Sequence, residues 1–261
     1  MGVTTSLEGK TAVVTGVGRK KGIGAAICKE LAKAGANIVF TYWNRYDESM
    51  FEELEKNEPM QIYEEIRQLG VQCDCIELDL SRDGELSRLL PFVNQHVGEP
   101  DILVNNACYS KNDHFETLAA DELDKHYLVN VRATVLMSVQ FARTFKKKSG
   151  GRIINLTSGQ SLGPMPGEIS YATTKGAIDA FTKTFAAEVA AKGITVNAVN
   201  PGPTDTGWMN SAIKEQLLKQ FPMGRVGMPE DAARLIKFLA SDEAEWITGQ
   251  ILHSEGGFMR G

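Results

Sequence analysis

The chain has 261 residues, 43% hydrophobic and 23% charged, which excludes a disordered polymer and supplies a core that needs no disulfide or metal staple. Its 28 basic and 33 acidic residues give a formal charge of −5, opposite in sign to a nucleic-acid-binding footprint. No apolar run reaches the ~18 residues of a membrane span, no basic-then-apolar leader opens the chain, and Cys28, Cys73, Cys75 and Cys108 are too scattered for a disulfide framework, so a cytoplasmic protein is expected.

Short β-branched runs alternate with helical periodicity along the whole chain. TAVVT (11–15) is the first predicted strand, followed by a glycine-rich turn and a helix over 23–34. NIVFTY (37–42) leads to a helix over 46–69, QCDCIEL (72–78) to one over 84–97, and DILVNNA (101–107) to one over 118–147. RIINLTS (152–158) precedes a helix over 170–191, ITVNAVN (194–200) precedes one over 229–240, and QILH (250–253) closes the series. Gly35, Gly70, Gly98, Gly150 and Gly193 mark element ends. Strands apolar nearly throughout are those of a parallel sheet covered on both faces. The expected fold is therefore α/β: one domain over 1–261, a Rossmann-like doubly wound parallel sheet of about seven strands with helices on both faces. Residues 43–60 are long and charged for a strand–helix connection, and 201–228, rich in Pro, Gly and Met, read as irregular and mobile.

After the first strand comes Thr15-Gly16-Val17-Gly18-Arg19-Lys20-Lys21-Gly22-Ile23-Gly24. Glycines let backbone approach a pyrophosphate, and a helix N-terminus offers free N–H groups and a positive dipole end. A Gly-rich turn can also be a plain connection, and Arg19, Lys20 and Lys21 a solvated loop. The end of the second strand, Phe40-Thr41-Tyr42-Trp43-Asn44-Arg45, has no acid before Asp47. An acid there suits a ribose 2′-hydroxyl, whereas basic residues suit a 2′-phosphate. The expected cofactor is NADP(H) in preference to NAD(H), which remains possible.

Tyr171 and Lys175 are four residues apart on a predicted helix and share a face. A nearby ammonium lowers a tyrosine pKa from about 10 towards the range of a useful acid or base. Ser158 ends the fifth predicted strand, on the side where such sheets bind ligands, and could hydrogen-bond a carbonyl oxygen or merely cap a turn.

These motifs, in this order and spacing, resemble the short-chain dehydrogenase/reductase family over essentially the whole chain. Thr15-Gly16 with Gly22-Ile23-Gly24 resembles the TGxxxGxG turn, and Asp79 the adenine-binding acid. Asn105-Asn106-Ala107 resembles NNAG, Asn130 the helix asparagine of a proton relay, and Pro201-Gly202-Pro203-Thr204-Asp205-Thr206 the PG segment. The resemblance implies a catalytic set of Asn130, Ser158, Tyr171 and Lys175. Tyr171 would pass the proton and Ser158 polarise the carbonyl. Lys175 would lower the Tyr171 pKa, and Asn130 would link Lys175 to water. The implied cofactor contacts are Gly16, Gly18, Arg19, Lys20, Lys21, Gly22, Ile23, Gly24, Asn44, Asp79, Leu80, Asn106, Ala107, Tyr171, Lys175, Pro201, Gly202, Thr204 and Thr206. No metal is implied.

Three departures stand out. Five residues separate Gly16 from Gly22 where the family has three, Cys108 replaces the last glycine of NNAG as a tolerated small residue, and 43–60 is longer than the family's connection. Trp43, Tyr46 and Phe51 are read as extending a surface helix rather than capping the adenosine. Met165, Trp208, Met209 and Met223 line either a substrate pocket, under a lid at about 204–222, or the core. His96, His114, His126 and His253 are assigned no chemistry. The resemblance implies an NADP(H)-dependent reductase of a small carbonyl substrate, most similar to 3-oxoacyl-[acyl-carrier-protein] reductases, and a homotetramer through the last strand. An oxidative alcohol or sugar dehydrogenase is the alternative within enzymes. A non-catalytic dinucleotide-binding regulator is the alternative outside them.

Overall fold

The computed structural model describes residues 6–50 and 57–260. Seven strands form one parallel sheet in the order β3-β2-β1-β4-β5-β6-β7. They are β1 (Thr11–Val14), β2 (Asn37–Tyr42), β3 (Cys73–Glu77), β4 (Ile102–Asn105), β5 (Gly151–Leu156), β6 (Ile194–Asn200) and β7 (Ile251–His253). Each matches a predicted strand to within two residues. The helices are α1 (Ile23–Lys33), α2 (Asn44–Met50), α3 (Glu58–Arg67), α4 (Asp83–His96), α5 (Ala120–His126), α6 (Thr134–Thr144), α7 (Ile169–Val189), α8 (Ser211–Leu218) and α9 (Pro229–Ala240).

Alternation along β1 divides the core. Ala12 and Val14 face α1 and α9 through Ile27, Leu31, Ile236 and Leu239. Val13 faces the other layer, where Leu89 and Val93 of α4, Phe141 of α6 and Val189 of α7 pack. The central strands β1, β4, β5 and β6 are buried throughout, while the edge strands β3 and β7 are partly exposed. That is why their sequences carry more polar residues.

Three expectations change. The helix predicted over 46–69 is α2 and α3, with 51–56 outside the described residues; Asn57 takes φ +63° and Pro59 follows at the start of α3. Within 201–228, expected to be irregular, lies α8, whose first turn is capped by the Asn210 side chain accepting from Ile213 N at 2.9 Å. The helix predicted over 118–147 is α5 and α6 joined by a π-helical turn, Tyr127–Ala133, which carries Asn130. Such turns gather at functional sites.

β1 and β4 are neighbours, yet the chain leaves them towards opposite edges of the sheet. A crevice therefore opens at their carboxyl ends. A buried polar chain braces that end. Asn105 Nδ2 donates to Ser138 Oγ at 3.0 Å and Asn155 Oδ1 at 2.8 Å, and Asn155 Nδ2 donates to Thr182 Oγ1 at 2.9 Å. This ties β4, β5, α6 and α7 together. Removing the middle member strips partners from buried groups, each costing about 1–3 kcal/mol. Asn155→Ala should lower unfolding stability by about 2–3 kcal/mol in urea titration at an unchanged slope.

Candidate active site

The cleft begins where β1 ends. The Thr15 hydroxyl accepts from Asn106 N at 3.1 Å and Ala107 N at 3.0 Å. Asn106 Nδ2 returns bonds to Thr15 O at 2.8 Å and Gly16 O at 2.9 Å. The glycine turn is thereby stitched to the segment after β4. Gly16 has φ +72°, and a Cβ there would lie 2.5 Å from Ala107 Cα; a Cβ on Gly24 would lie 2.8 Å from Gly16 O. Only glycine fits so close an approach. At α1, the N-cap residue Gly22 has no side chain to satisfy the first amides. A glycine-lined turn with uncapped helix amides is the chemistry that a dinucleotide pyrophosphate requires.

The basic turn is met by acids from α2 and α3. Arg19 Nε lies 3.5 Å from Asp47 Oδ1, and its Nη1 donates to Thr206 O at 2.8 Å. Lys20 turns towards α3: its N donates to Glu58 Oε2 at 2.5 Å and its Nζ pairs with Glu65 at 2.8 Å. Lys21 runs beside Gly207. Burial pushes the Asp47 carboxyl up to about 6, with Glu58 adding to the rise and Arg19 opposing it. Burial also lowers the pKa of Arg19. Asp47 and Glu58 were not identified as site residues from sequence, although the unusual charge of 43–60 was the available signal.

The cleft, about 360 Å3, runs from Gly16, Gly18, Arg19, Gly22, Ile23 and Gly24 past Leu80, Asn106 and Ala107 to Cys108, Tyr109, Tyr171, Thr206 and Trp208. Trp43 and Tyr46 also line it, which corrects their reading as a surface extension. The Tyr46 oxygen accepts from Ser110 N at 3.2 Å, and its ring packs on Tyr109 at 5.7 Å between centroids. Phe51 lies outside the described residues. His126, fully buried, has Nε2 within 3.2 Å of the Lys111 N–H and Nδ1 2.9 Å from Glu122 O. Its edge meets the Tyr109 ring, so it shapes the wall after β4.

Ser158 lies just beyond β5, with Oγ 3.9 Å from Met165 Sδ. Tyr171 and Lys175 occupy the first two turns of α7. Burial raises the Tyr171 pKa most, Cys108 adds to the rise, and a hydrogen bond with Ser158 opposes it. Lys175 is buried; its Nζ donates to Leu156 O at 2.8 Å and stands 5.5 Å from the Tyr171 ring centroid. Asn130 accepts from Tyr109 N at 2.7 Å and donates to Tyr109 O at 2.9 Å and Thr174 Oγ1 at 3.0 Å.

Other candidates face elsewhere. The Asp79 carboxylate accepts from Ser81 N and Oγ and pairs with Arg82 at 3.2 Å, while its neighbour Leu80 lines the cleft. Asn44 is exposed and its N donates to Glu77 at 3.1 Å. Beyond Pro201, Gly202 packs on Glu255, and the Thr204 hydroxyl donates within its own turn, to Pro201 O and Gly202 O.

A family model described as enoyl-(acyl carrier protein) reductase matches residues 16–259. An uncharacterized oxidoreductase of Bacillus subtilis, YjdA, is 52% identical over 97% of this chain and 98% of its own. The 3-oxoacyl-[acyl-carrier-protein] reductase FabG of Pseudomonas aeruginosa is 36% identical over 97% and 98%. Among solved structures, a short-chain dehydrogenase/reductase from Serratia marcescens superposes with a TM-score of 0.86 at 35% identity over 97% and 98% of the two chains. The angucycline C-6 ketoreductase LanV with bound NADP does so at 0.85 and 31% identity over 97% and 96%.

Gly16→Ala should cost about 1–3 kcal/mol from the positive φ alone, read as a lower melting temperature, because the backbone of Ala107 leaves no room for relief. Asp47 gives a signed pH effect. In the unfolded chain it ionises near pH 4, in the folded chain only near 6. Folding stability therefore falls by about 2–3 kcal/mol as pH rises through that window. In thermal melts from pH 4 to 7, Asp47→Asn should match the parent at the acid end and exceed it above pH 6.

Proposed function

The chain belongs to the short-chain dehydrogenase/reductase family of oxidoreductases, and on that premise we propose that it is an NADP(H)-dependent carbonyl reductase acting on a 3-oxoacyl thioester or a similar ketone. The carrying observation is the cluster at the end of the glycine-lined cleft: Tyr171 lines the cleft, is near enough to the Ser158 hydroxyl for it to oppose the rise in its pKa, and has the buried Lys175 ammonium 5.5 Å from its ring centroid. The family model's description names enoyl reduction. The three-residue gap between Tyr171 and Lys175 instead favours a carbonyl substrate, because enoyl reductases of the superfamily, as the motif comparison implies, space this pair by six.

A nicotinamide bound here would supply hydride to the carbonyl carbon. The glycine turn and α1 amides would hold the pyrophosphate, and Leu80, Asn106 and Ala107, which line the cleft, would flank the adenosine half. The preference for the phosphorylated dinucleotide rests on Arg19 in the cleft and on the NADP bound by LanV; NAD(H) is the secondary cofactor. The Ser158 hydroxyl donates to the carbonyl oxygen, and the Tyr171 hydroxyl delivers the proton that turns the alkoxide into the alcohol. Lys175, whose ammonium stands beside the Tyr171 ring, stabilises the phenolate left behind and would be the group nearest Tyr171 to hold the ribose hydroxyls. Asn130 holds the Tyr109 backbone and the Thr174 hydroxyl of α7 in place and opens the proton route to Lys175. Residues 204–222, with Trp208 Nε1 anchored on Thr204 O at 2.8 Å, form the substrate lid. The same reading makes 1–261 one catalytic domain, cytoplasmic and tetrameric; among the described residues no helix is long and apolar enough to cross a membrane.

NADPH oxidation by the purified protein with an acetoacetyl thioester tests this. Turnover should fall by about 10²–10⁴ in Tyr171→Phe, and undiminished turnover would overturn the role of Tyr171. Because burial raises the Tyr171 pKa, the proton is present at neutral pH. Reduction should therefore decline only on the alkaline side, and the reverse oxidation should rise there.

A further inference from the structure

We propose that Asp47 is a cofactor-specificity residue, a carboxylate that competes with the adenosine 2′-phosphate for Arg19 and holds the preference for the phosphorylated dinucleotide below what the turn could reach. The proposal rests on the reading of the cleft as a nicotinamide-dinucleotide site.

Asp47 sits on the turn rather than near it. A Cβ built on Gly18 would fall 1.9 Å from Asp47 Oδ2, so the carboxylate occupies the space that this glycine leaves. Its other oxygen lies 3.5 Å from Arg19 Nε. Arg19 is held from the far side as well, through Nη1 on Thr206 O, so its guanidinium is directed into the cleft beside the carboxylate. An anion on the glycine turn and on an arginine is what a phosphate ester would be. Here a side chain of the same chain supplies it.

The carboxylate is also held there. α2 follows directly on β2, and Tyr46, the residue before Asp47, is fastened across the cleft to Ser110 N and the Tyr109 ring. Among the described residues, Arg19, Glu58 and Tyr46 are the charged or titratable groups that face it. Glu58 brings a second negative charge, on Lys20 N. The elevated Asp47 pKa shows that Arg19 only partly compensates the buried charge. A dianionic 2′-phosphate entering here meets a like charge, which disfavours it. A 2′-hydroxyl is neutral and meets no such repulsion. Asp47 therefore acts against one cofactor and not the other, which is how specificity is set by repulsion.

Dissociation constants decide the matter without turnover. NADPH, NADH, adenosine 2′,5′-bisphosphate and adenosine 5′-monophosphate are titrated calorimetrically against the parent, Asp47→Asn, Asp47→Ala and Glu30→Gln. Glu30 of α1 pairs with Lys33 and with Lys237 of α9 and controls for net charge. Asp47→Asn and Asp47→Ala should tighten both 2′-phosphorylated ligands by about tenfold and leave NADH and the monophosphate within about twofold. Unchanged binding of the 2′-phosphorylated pair would overturn the proposal. So would equal tightening of all four ligands, the same tightening in Glu30→Gln, or a matching loss of NADH binding, which would make Asp47 a ribose ligand. If none of the proteins bound either dinucleotide, the cofactor reading itself would fall and the proposal with it. If the parent binds NADPH, failure of the Asp47 variants to tighten it overturns the proposal alone.

Discussion

Everything at the site hangs on a reciprocal set of hydrogen bonds between Thr15 and Asn106. β1 and β4 part at their carboxyl ends, so their last amides and carbonyls lack sheet partners there. The Thr15 hydroxyl and the Asn106 amide supply those partners and hold the two loops at fixed separation. Gly16 can then lie against Ala107, α1 can start with open amides, and the chain after β4 can carry Cys108, Tyr109 and Ser110 along the cleft wall.

Charge at the glycine turn is balanced within the chain. A turn with Arg19, Lys20 and Lys21 would present a strongly basic surface if it faced water alone. α3 takes up Lys20 through Glu58 and Glu65, and α2 sets Asp47 against Arg19. Lys20 and Lys29, which both pair with Glu65, are partly exposed, so these ion pairs contribute little to stability. Asp47 and Arg19 are more buried, and there desolvation outweighs their attraction, as both shifted pKa values indicate. Such an under-compensated pair is poor at stabilising the fold and well placed to respond to an incoming anion.

The Tyr171 end of the cleft is built differently. Asn130, Lys175 and Thr174 are buried and spend their polar groups on backbone or on each other. The π-helical turn at 127–133 brings Asn130 opposite Tyr109 and Thr174 at once, holding α7 against the loop after β4. Tyr171 stands at the boundary, partly buried, raised in pKa by its surroundings and adjacent to Ser158. Rigid support behind and a cleft in front suit a residue that passes a proton.

Local sequence was enough for the seven strands, because buried parallel strands must be apolar on both faces and the β-branched runs say so without any partner. It also pointed to Gly16, Gly24 and Tyr171, which the structure brings to one cleft, because their placement depends on spacing along one strand–turn–helix or one helix face. α8 escaped notice because Pro, Gly and Met around it outweighed the Asn210 cap and a short amphipathic run. Tyr46, Asp47 and Glu58 could be placed only by the tertiary structure. Their significance comes from packing across the cleft onto Ser110, Gly18 and Lys20, residues tens of positions away, and a helix with no buried residue looks like solvent-facing surface until the turn it covers is in place. Periodicity within the chain determined the fold, whereas which charges meet the basic turn was decided by long-range packing, to which local pattern is blind.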